Sequence, residues 1–444
     1  MASLDQQTAP RAHNDVTKDN LVESQSKIIS CIAQATFVSI DTEFTGLGRG
    51  PSQNTRASNI EERYVALREV VLNHAMVAFG LSAFKESTPE SPESASLETS
   101  YTADHFNFTL LCQVCSSLCN LPSFSAFLTG FLGQNAYTVN PKSLSFLAES
   151  GFDFNKQAIS GIPYFPGDIQ ESNRSDKFNV AMRQIFRRLL TAKVPVVVHN
   201  GLLDIMFLYH GFYACLPRRL DTFLADLSDM FPQGIYDTKY IADYLTREKA
   251  SFLLYLFKKY EREQLKRKTN SRKTYVTVAH NNVIVDSPVK APHPLNKSAA
   301  KHCQQFANHG HCPKGVRCPL SHDLDVILDA EMNKRKRRRK EEHSDEAKPD
   351  TESEESGVQA PSSNDACDPP ATTQSQSQSH SAHFDAYMTG FVFARQALTY
   401  SLATLQESHV NRIYLIGKSF PLIISKSAFA GYSESHEAQR PQLI

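Results

Sequence analysis

The stretch Ser39-Ile40-Asp41-Thr42-Glu43-Phe44-Thr45-Gly46-Leu47 follows on a short β-branched and apolar run, Thr36 to Ile40 (TFVSI), which has the pattern of a buried strand. The run breaks into two carboxylates at alternate positions. In an extended chain these point to the same side, and Gly46 lets the backbone turn away behind them. Carboxylates at the end of a buried strand are costly unless something neutralises them, and a divalent cation held by oxygen ligands is the usual solution. A lone D-x-E is more simply a capping acid; acids elsewhere in the chain decide against that here.

Outward from this stretch, Leu21 to Ala35 has apolar residues at helical spacing and is expected to pack beside the strand. Ile60 opens a helix running to about Leu72. Met76–Phe84 and Phe106–Cys112 read as two further strands, which gives an antiparallel meander separated by a mobile Ser-, Glu- and Pro-rich loop. Cys112, Cys115 and Cys119 lack a fourth ligand nearby and read as small buried thiols. A helix over Pro141–Phe154 ending at Gly151 and an amphipathic helix over Met182–Leu190 follow. The strand Val194–Val198 then ends in His199-Asn200-Gly201-Leu202-Leu203-Asp204, which places a further acid one turn inside the next helix. Helical patterns continue through Leu220–Met230, Thr238–Tyr244 and Ser251–Tyr260. Asp237 reads as an N-cap rather than a ligand.

Composition frames these motifs. A chain of 444 residues with 41% hydrophobic content supports a substantial core, and a net charge of zero conceals a basic block followed by an acidic one. The N-terminal segment has no apolar core of the secretory kind, and no apolar run reaches membrane-spanning length, so neither secretion nor a membrane partner is expected. The nine cysteines suggest a reducing compartment and metal binding rather than disulfides. Cys303-x8-Cys312-x5-Cys318-x3-His322 is a complete tetrahedral zinc set of the CCCH class, closed and therefore structural. Fingers of this class bind single-stranded RNA through aromatics and basic side chains, for which Phe306, Lys314 and Arg317 are the candidates; Leu320 stands where an aromatic is usual.

The block Lys334-Arg335-Lys336-Arg337-Arg338-Arg339-Lys340 reads as a nuclear localisation signal, a nucleic-acid contact, or both. Residues 341–379 are acidic, then Ser- and Gln-rich, and are expected to be disordered. Order returns at His380 with a helix to about Leu405 and a strand (RIYLIG). Too small to fold alone, this segment is expected to complete the sheet begun before the finger. The organisation is then a disordered N-terminus (1–20), a first nuclease part (21–275), a CCCH finger (295–325), the basic signal (334–340), a disordered linker (341–379) and a second nuclease part (380–430).

Asp41 and Glu43 on a strand, Asp204 after His199-Asn200, and His380-x4-Asp385 at a helix start follow the DEDD exonuclease pattern with its histidine. With the phrases IDTEFTGLG, IEERY, GIPY, HNGLLDIMFLY, MFPQGIYDTKYIADYL and FDAYMTGFVFARQ, the chain resembles poly(A)-specific ribonuclease and its relatives, and among them the nuclear deadenylases that carry a CCCH finger between two halves. Residues 113–134 depart from that pattern. The resemblance implies an α/β, ribonuclease H-like fold with a mixed central sheet and flanking helices, interrupted by the finger and linker.

It also implies two Mg²⁺ held by Asp41, Glu43, Asp204 and Asp385, beside one structural Zn²⁺. The ligands for the catalytic pair are all hard oxygens, so magnesium suits them better than zinc. Two such ions roughly 3.5–4 Å apart would bind the scissile phosphate. By the same resemblance His380 is the general base, chosen over His383 by its H-x4-D spacing. The implied activity is 3′–5′ exoribonuclease release of 5′-nucleoside monophosphates from RNA 3′ ends. Poly(A) or oligo(A) tails, including those of small nuclear RNA, would be the substrates, and the nucleus, with its nucleoli or Cajal bodies, the location. A competing expectation is a nuclear RNA-binding or transcription-regulating finger protein whose nuclease fold is a non-catalytic scaffold.

Overall fold

The structure is a computed structural model that describes residues 14–47, 56–87, 98–113, 137–270, 274–280, 301–345 and 381–443. Its strands are β1 (Asn14–Val16), β2 (Phe37–Phe44), β3 (Met76–Ser87), β4 (Glu98–Cys112), β5 (Ile162–Tyr164), β6 (Val196–Val198), β7 (Ile235–Asp237), β8 (Tyr275–His280), β9 (Arg412–Ile413) and β10 (Leu422–Ile423). They form one mixed sheet in the order β1-β4-β3-β2-β6-β7-β9-β10. The expected meander is present: β2 pairs antiparallel with β3, and β3 with β4. The far edge of β4 is shared by three short parallel strands, β8 along residues 98–103, β1 along 106–108 and β5 along 110–112.

The helices are α1 (Leu21–Gln34), α2 (Ile60–Asn73), α3 (Pro141–Glu149), α4 (Phe154–Ser160), α5 (Lys177–Thr191), α6 (Leu202–Phe212), α7 (Leu220–Met230), α8 (Thr238–Tyr244), α9 (Leu253–Thr269), α10 (Gln304–His309), α11 (Leu324–Asp345), α12 (Ala382–Tyr400), α13 (Leu402–Ser408) and α14 (Glu434–Gln439). Alternation along the strands divides them between two cores. Val38, Ile40, Phe79, Leu81 and Phe106 face α1, α5, α6 and α7. Phe37, Phe84, Tyr101, Val197 and Tyr236 face α9 and α12. Phe37 stacks on Phe84 with centroids 4.8 Å apart and meets Phe393 of α12 edge-on at 5.0 Å. The segment after the finger therefore covers this face of the sheet together with α9.

Several boundaries differ from the sequence expectations. The segment 1–20 is not disordered throughout, because Asn14–Val16 adds to β4 through backbone hydrogen bonds that need no apolar pattern, with only Val16 buried. The first nuclease part extends past 275, since β8 continues the sheet to His280. Helix α11 carries the basic block and runs on to Asp345, so residues 341–345 are helical; Lys, Arg and Glu are good helix formers. The second part continues beyond 430 to α14, where His436 is fully buried. The helix expected to end at Gly151 does so, closing at Glu149 with Gly151 at φ +87° behind it, and a separate helix, α4, starts at Phe154.

The finger is no detached insertion either. Ala307, Leu324, Ile327 and Leu328 are buried in the second core, and Arg262 of α9 binds Asp325 and Asp329 at 2.8 and 2.9 Å. The expectation of metal rather than disulfides fails at Cys215, which is disulfide-bonded, while Cys303, Cys312 and Cys318 are free thiols. No helix among the described residues is long and apolar enough to cross a membrane.

Candidate active site

Strand β2 puts Ser39, Asp41 and Glu43 on the α12 face and Ile40 and Thr42 on the other, as its period of two requires. Opposite Asp41 in the sheet stands Gly80. A Cβ on Gly80 would lie 2.0 Å from the Ala382 carbonyl oxygen, so glycine here lets the first turn of α12 rest directly on the strand. A second glycine, Gly390, does the same one level down, where a Cβ would meet the Phe84 ring and Ser39 Oγ. Ser39 Oγ also donates to the Ala386 carbonyl at 2.6 Å. Seated this way, α12 brings Asp385 to the two strand acids, and one carboxylate oxygen from each of Asp41, Glu43 and Asp385 lies within 4.8 Å of the others.

Asp204 arrives from the opposite side of the sheet. Strand β6 pairs with β2 only at Val38 and Ser39, so the Thr42 amide has no strand partner on that edge. It donates instead to Asp204 Oδ1 at 3.0 Å, and the Thr42 hydroxyl donates to the same oxygen at 2.6 Å. Helix α6 is held to β2 by Phe207, which stacks on Phe44 at 4.2 Å. Burial pushes the Asp204 carboxyl up to about 6, against the lowering influence of the Thr42 bonds. Burial also drives the Asp41 carboxyl well above the carboxylate range, and Asp204, Asp385 and Glu43 all add to the effect.

The turn that delivers Asp204 is tightly held. Asn200 has φ +57°, and a Cβ on Gly201 would strike Val198. Asp237, fully buried, accepts from the amides of Asn200, Lys239 and Tyr240 through Oδ1 and from Tyr414 through Oδ2, which makes it the expected N-cap and more. His199 Nδ1 lies 2.9 Å from the Thr238 hydroxyl, and burial lowers this imidazole's pKa well below its usual value. His383 is buried at the start of α12. His380 lies outside the described residues, as do Cys115 and Cys119; Cys112 is a half-buried thiol that burial raises to about 11.

Asp41, Glu43 and Asp385 gathered within 4.8 Å of one another, with Asp204 tied to Thr42 beside them, fit divalent cations, and their oxygens are the hard donors that Mg²⁺ or Mn²⁺ prefers. The second candidate centre is equally well assembled. The ligand atoms of Cys303, Cys312, Cys318 and His322 all lie within 4.8 Å of one another, and the buried Nε2 of His322 has no hydrogen-bond partner. A soft, closed three-thiolate, one-imidazole set fits structural zinc. Gly310 and Gly315 supply the left-handed turns, at φ +72° and +48°, that close so short a loop. Phe306 is half-buried, stacked on His322 at 4.6 Å, whereas Lys314 and Arg317 are exposed. Lys334–Arg337 of the basic block lie exposed on α11.

Gly80 and Gly390 are the functional positions that motif reading passed over. The signal was present for Gly80, as a glycine inside an otherwise apolar strand.

Compared with known proteins, the chain is 33% identical over 153 residues to poly(A)-specific ribonuclease of Danio rerio, a match covering 34% of this chain and 20% of that protein. It is 31% identical over 153 residues to a poly(A)-specific ribonuclease of Mus musculus, covering 34% and 25%. A pre-piRNA 3′-exonuclease trimmer of Bombyx mori matches over 95 residues at 30%, covering 21% and 18%. The chain thus spans about a quarter or less of the length of these relatives. A solved structure of S. pombe Pop2p in its Mg²⁺- and Mn²⁺-bound form aligns at 22% identity and a TM-score of 0.39, over 56% of this chain and 81% of that one. Residues 16–181 and 168–393 match the CAF1 family ribonucleases, a span that includes Asp41, Glu43, Asp204 and Asp385; the chain belongs to the CAF1 family of ribonucleases.

Proposed function

We propose that the protein is a divalent-metal-dependent 3′–5′ exoribonuclease that removes adenosines one at a time from RNA 3′ ends and releases 5′-nucleoside monophosphates. The observation that carries this reading is the convergence of Asp41, Glu43 and Asp385 from a strand and a helix on one face, with Asp204 tied to the intervening Thr42 from the other. Two divalent ions in that set would polarise the scissile phosphate and lower the pKa of the attacking water. Asp41, Glu43, Asp204 and Asp385 would hold such ions, and the buried setting strengthens every charge interaction made there. His380, five residues before Asp385, is assigned as the group that takes the water's proton.

The relatives' names, two of them poly(A)-specific, support adenosine tails as substrate. The finer reading is that the substrates are oligoadenosine tails of small nuclear RNAs and that the protein works in the nucleus, including nucleoli or Cajal bodies. The finger, the exposed basic residues on α11 and the sequence phrases shared with nuclear deadenylases support it. The zinc set would be filled by one structural Zn²⁺.

The test is purified protein with 5′-labelled RNAs ending in A, C or U tracts, with Mg²⁺ or EDTA, beside an Asp41→Asn control. Stepwise shortening of the A-tailed RNA, lost in EDTA and in the control, is expected. Tight RNA binding without any Mg²⁺-dependent shortening would leave a finger protein on a silent scaffold. Equal rates on all tails would remove the adenosine preference.

A further inference from the structure

Two adjacent residues just ahead of α9 face two different centres. Phe252, at the N-cap of α9, carries the finger. Its ring meets Phe306 edge-on at 6.1 Å, and Phe306 in turn stacks at 4.6 Å on His322, one of the zinc set. Gly310 sits on the same ring so closely that a Cβ there would come within 2.8 Å of it. Ser251, buried, turns the other way. Its Oγ and carbonyl oxygen accept from Lys239 Nζ at 2.8 and 3.3 Å, and the Lys239 amide donates to Asp237 Oδ1, the same oxygen that accepts from the Asn200 amide. His199 opens the strained turn that delivers Asp204. The chain on either side of the pair is clamped to the helix that follows the finger, since Glu331 of α11 accepts from both Lys249 Nζ and Tyr255 Oη at 2.8 Å.

We propose that the zinc finger is a positioning element for the nuclease, with Phe252 and Ser251 as the strap that transmits zinc-dependent order to the His199–Asp204 turn. A loop of this size closed by four ligands is ordered by its metal, because the ligands fold around the ion and binding free energy becomes folding free energy. Without zinc, Phe306 and Gly310 lose their fixed places and Phe252 loses the surface that covers it. Ser251 is then held from one side only. The Asn200 turn, with a non-glycine residue at positive φ, persists only while its neighbours over-determine it. Asp237 and Thr238 are two of these neighbours, and Ser251 steadies them through Lys239. The strap acts on the geometry of one acid and leaves the carboxylate set itself intact. Zinc thus governs turnover in the nuclease, in addition to any contact the finger makes with RNA.

The kinetic part of this inference rests on the nuclease reading; the structural part does not, and the experiment separates them. Zinc is removed from the full-length wild-type protein with a zinc-selective chelator, its release is quantified, and amide hydrogen exchange is followed at residues 199–204 before and after zinc is restored. Exchange there is expected to rise about tenfold or more on zinc removal and to return on add-back. Phe252→Ala is expected to keep its zinc and still show the faster exchange, with Phe252→Leu intermediate. On a short A-tailed RNA at saturating Mg²⁺, both zinc removal and Phe252→Ala should lower kcat by about 10- to 100-fold with little change in KM, as a displaced reacting group does. Unchanged exchange at 199–204 in the zinc-free protein would overturn the proposal, as would a loss confined to KM on long RNAs, which marks an independent RNA-binding module. If no RNA is cleaved at all, the function reading fails and the exchange result alone decides. If Phe252→Ala does not fold, the chelation and add-back series decides.

Discussion

The missing side chain at Gly80 is as much a part of the site as the carboxylate of Asp41 opposite it. Gly80→Ala would set a methyl group 2.0 Å from the Ala382 carbonyl, and backbone cannot yield as a flexible side chain does. The start of α12 must lift and take Asp385 with it. The expected result is a loss of about 1–3 kcal/mol in unfolding free energy by denaturant titration, and a rate loss of about 100-fold, as a displaced reacting group suffers; an unchanged rate would show that Asp385 does not depend on this seat. Asp41→Asn should act in the opposite sense on stability. Burial, reinforced by Asp204, Asp385 and Glu43, holds its carboxyl well above the ordinary range, so the ionised form is unfavourable in the fold. Removing that charge should raise the melting temperature of the metal-free protein while reducing turnover by about 10³-fold or more, and a fall in melting temperature would contradict it. Asp41 and Glu43 were legible because carboxylates at the end of a buried strand are costly, and Asp204 and Asp385 because they completed the exonuclease pattern the chain resembles. Gly80 and Gly390 were not, since their purpose is set by a helix more than 300 residues away or by a strand equally distant, and no local pattern carries that distance. Phe306 was read as a stacking surface from its type, but the His322 ring occupies one of its faces.

Among the elements, α14 shows what short segments can do when their polar groups are placed well. His436 is fully buried, with Nδ1 2.7 Å from Tyr213 Oη and Nε2 3.1 Å from Asp229 Oδ2. Arg440 donates to both oxygens of Asp229 at 3.0 and 3.3 Å. Burial raises the Asp229 carboxyl, but the bonds from Arg440 and His436 outweigh it and the net pKa is lowered. A depressed folded pKa contributes stability that is present above the unfolded carboxylate range and lost as pH falls through the folded value. The docking of α14 should therefore weaken on acidification below about pH 4, visible as faster exchange or proteolysis after residue 430 ahead of global unfolding. Asp229→Ala should destabilise by about 1–3 kcal/mol at neutral pH, because it leaves a buried imidazole nitrogen unsatisfied; equal protection of residues 434–440 in variant and wild type would rule this out. Long periodic elements such as α1, α7 and α12 were readable from apolar spacing. The three strands that share the edge of β4 were not, because they join through backbone groups that every sequence possesses.

At the scale of the whole molecule, the chain leaves the nuclease fold after β8, builds the finger and α11 against α9, and returns at residue 381 to cover the face of the sheet it had left open. Apolar content made a second nuclease part predictable from sequence. That the finger shares a core with it was not, because Ile327 and Leu328 lie beyond the zinc motif and next to a basic run. This arrangement predicts how the protein divides. Residues 1–345 expressed alone would expose Phe37, Phe84, Tyr101 and Val197 to water, each of them buried against or beside α12 in the intact fold. Burial of such side chains is worth about 1.5–3 kcal/mol apiece, a large part of the 5–15 kcal/mol by which domains of ordinary stability persist. The fragment should be insoluble or loosely packed, and it lacks Asp385, so it should be inactive. Co-expression with residues 380–444, which include His380, as a separate chain should recover a soluble complex, because the two pieces meet over a continuous apolar face. The complex should cleave A-tailed RNA with a kcat within about tenfold of the intact chain, since the acids regain the same seats on Gly80 and Gly390. Size exclusion and thermal unfolding of the two preparations provide the measurement. A fragment 1–345 that melts cooperatively at the temperature of the full chain would show that α12 is not part of the fold that holds the acids together.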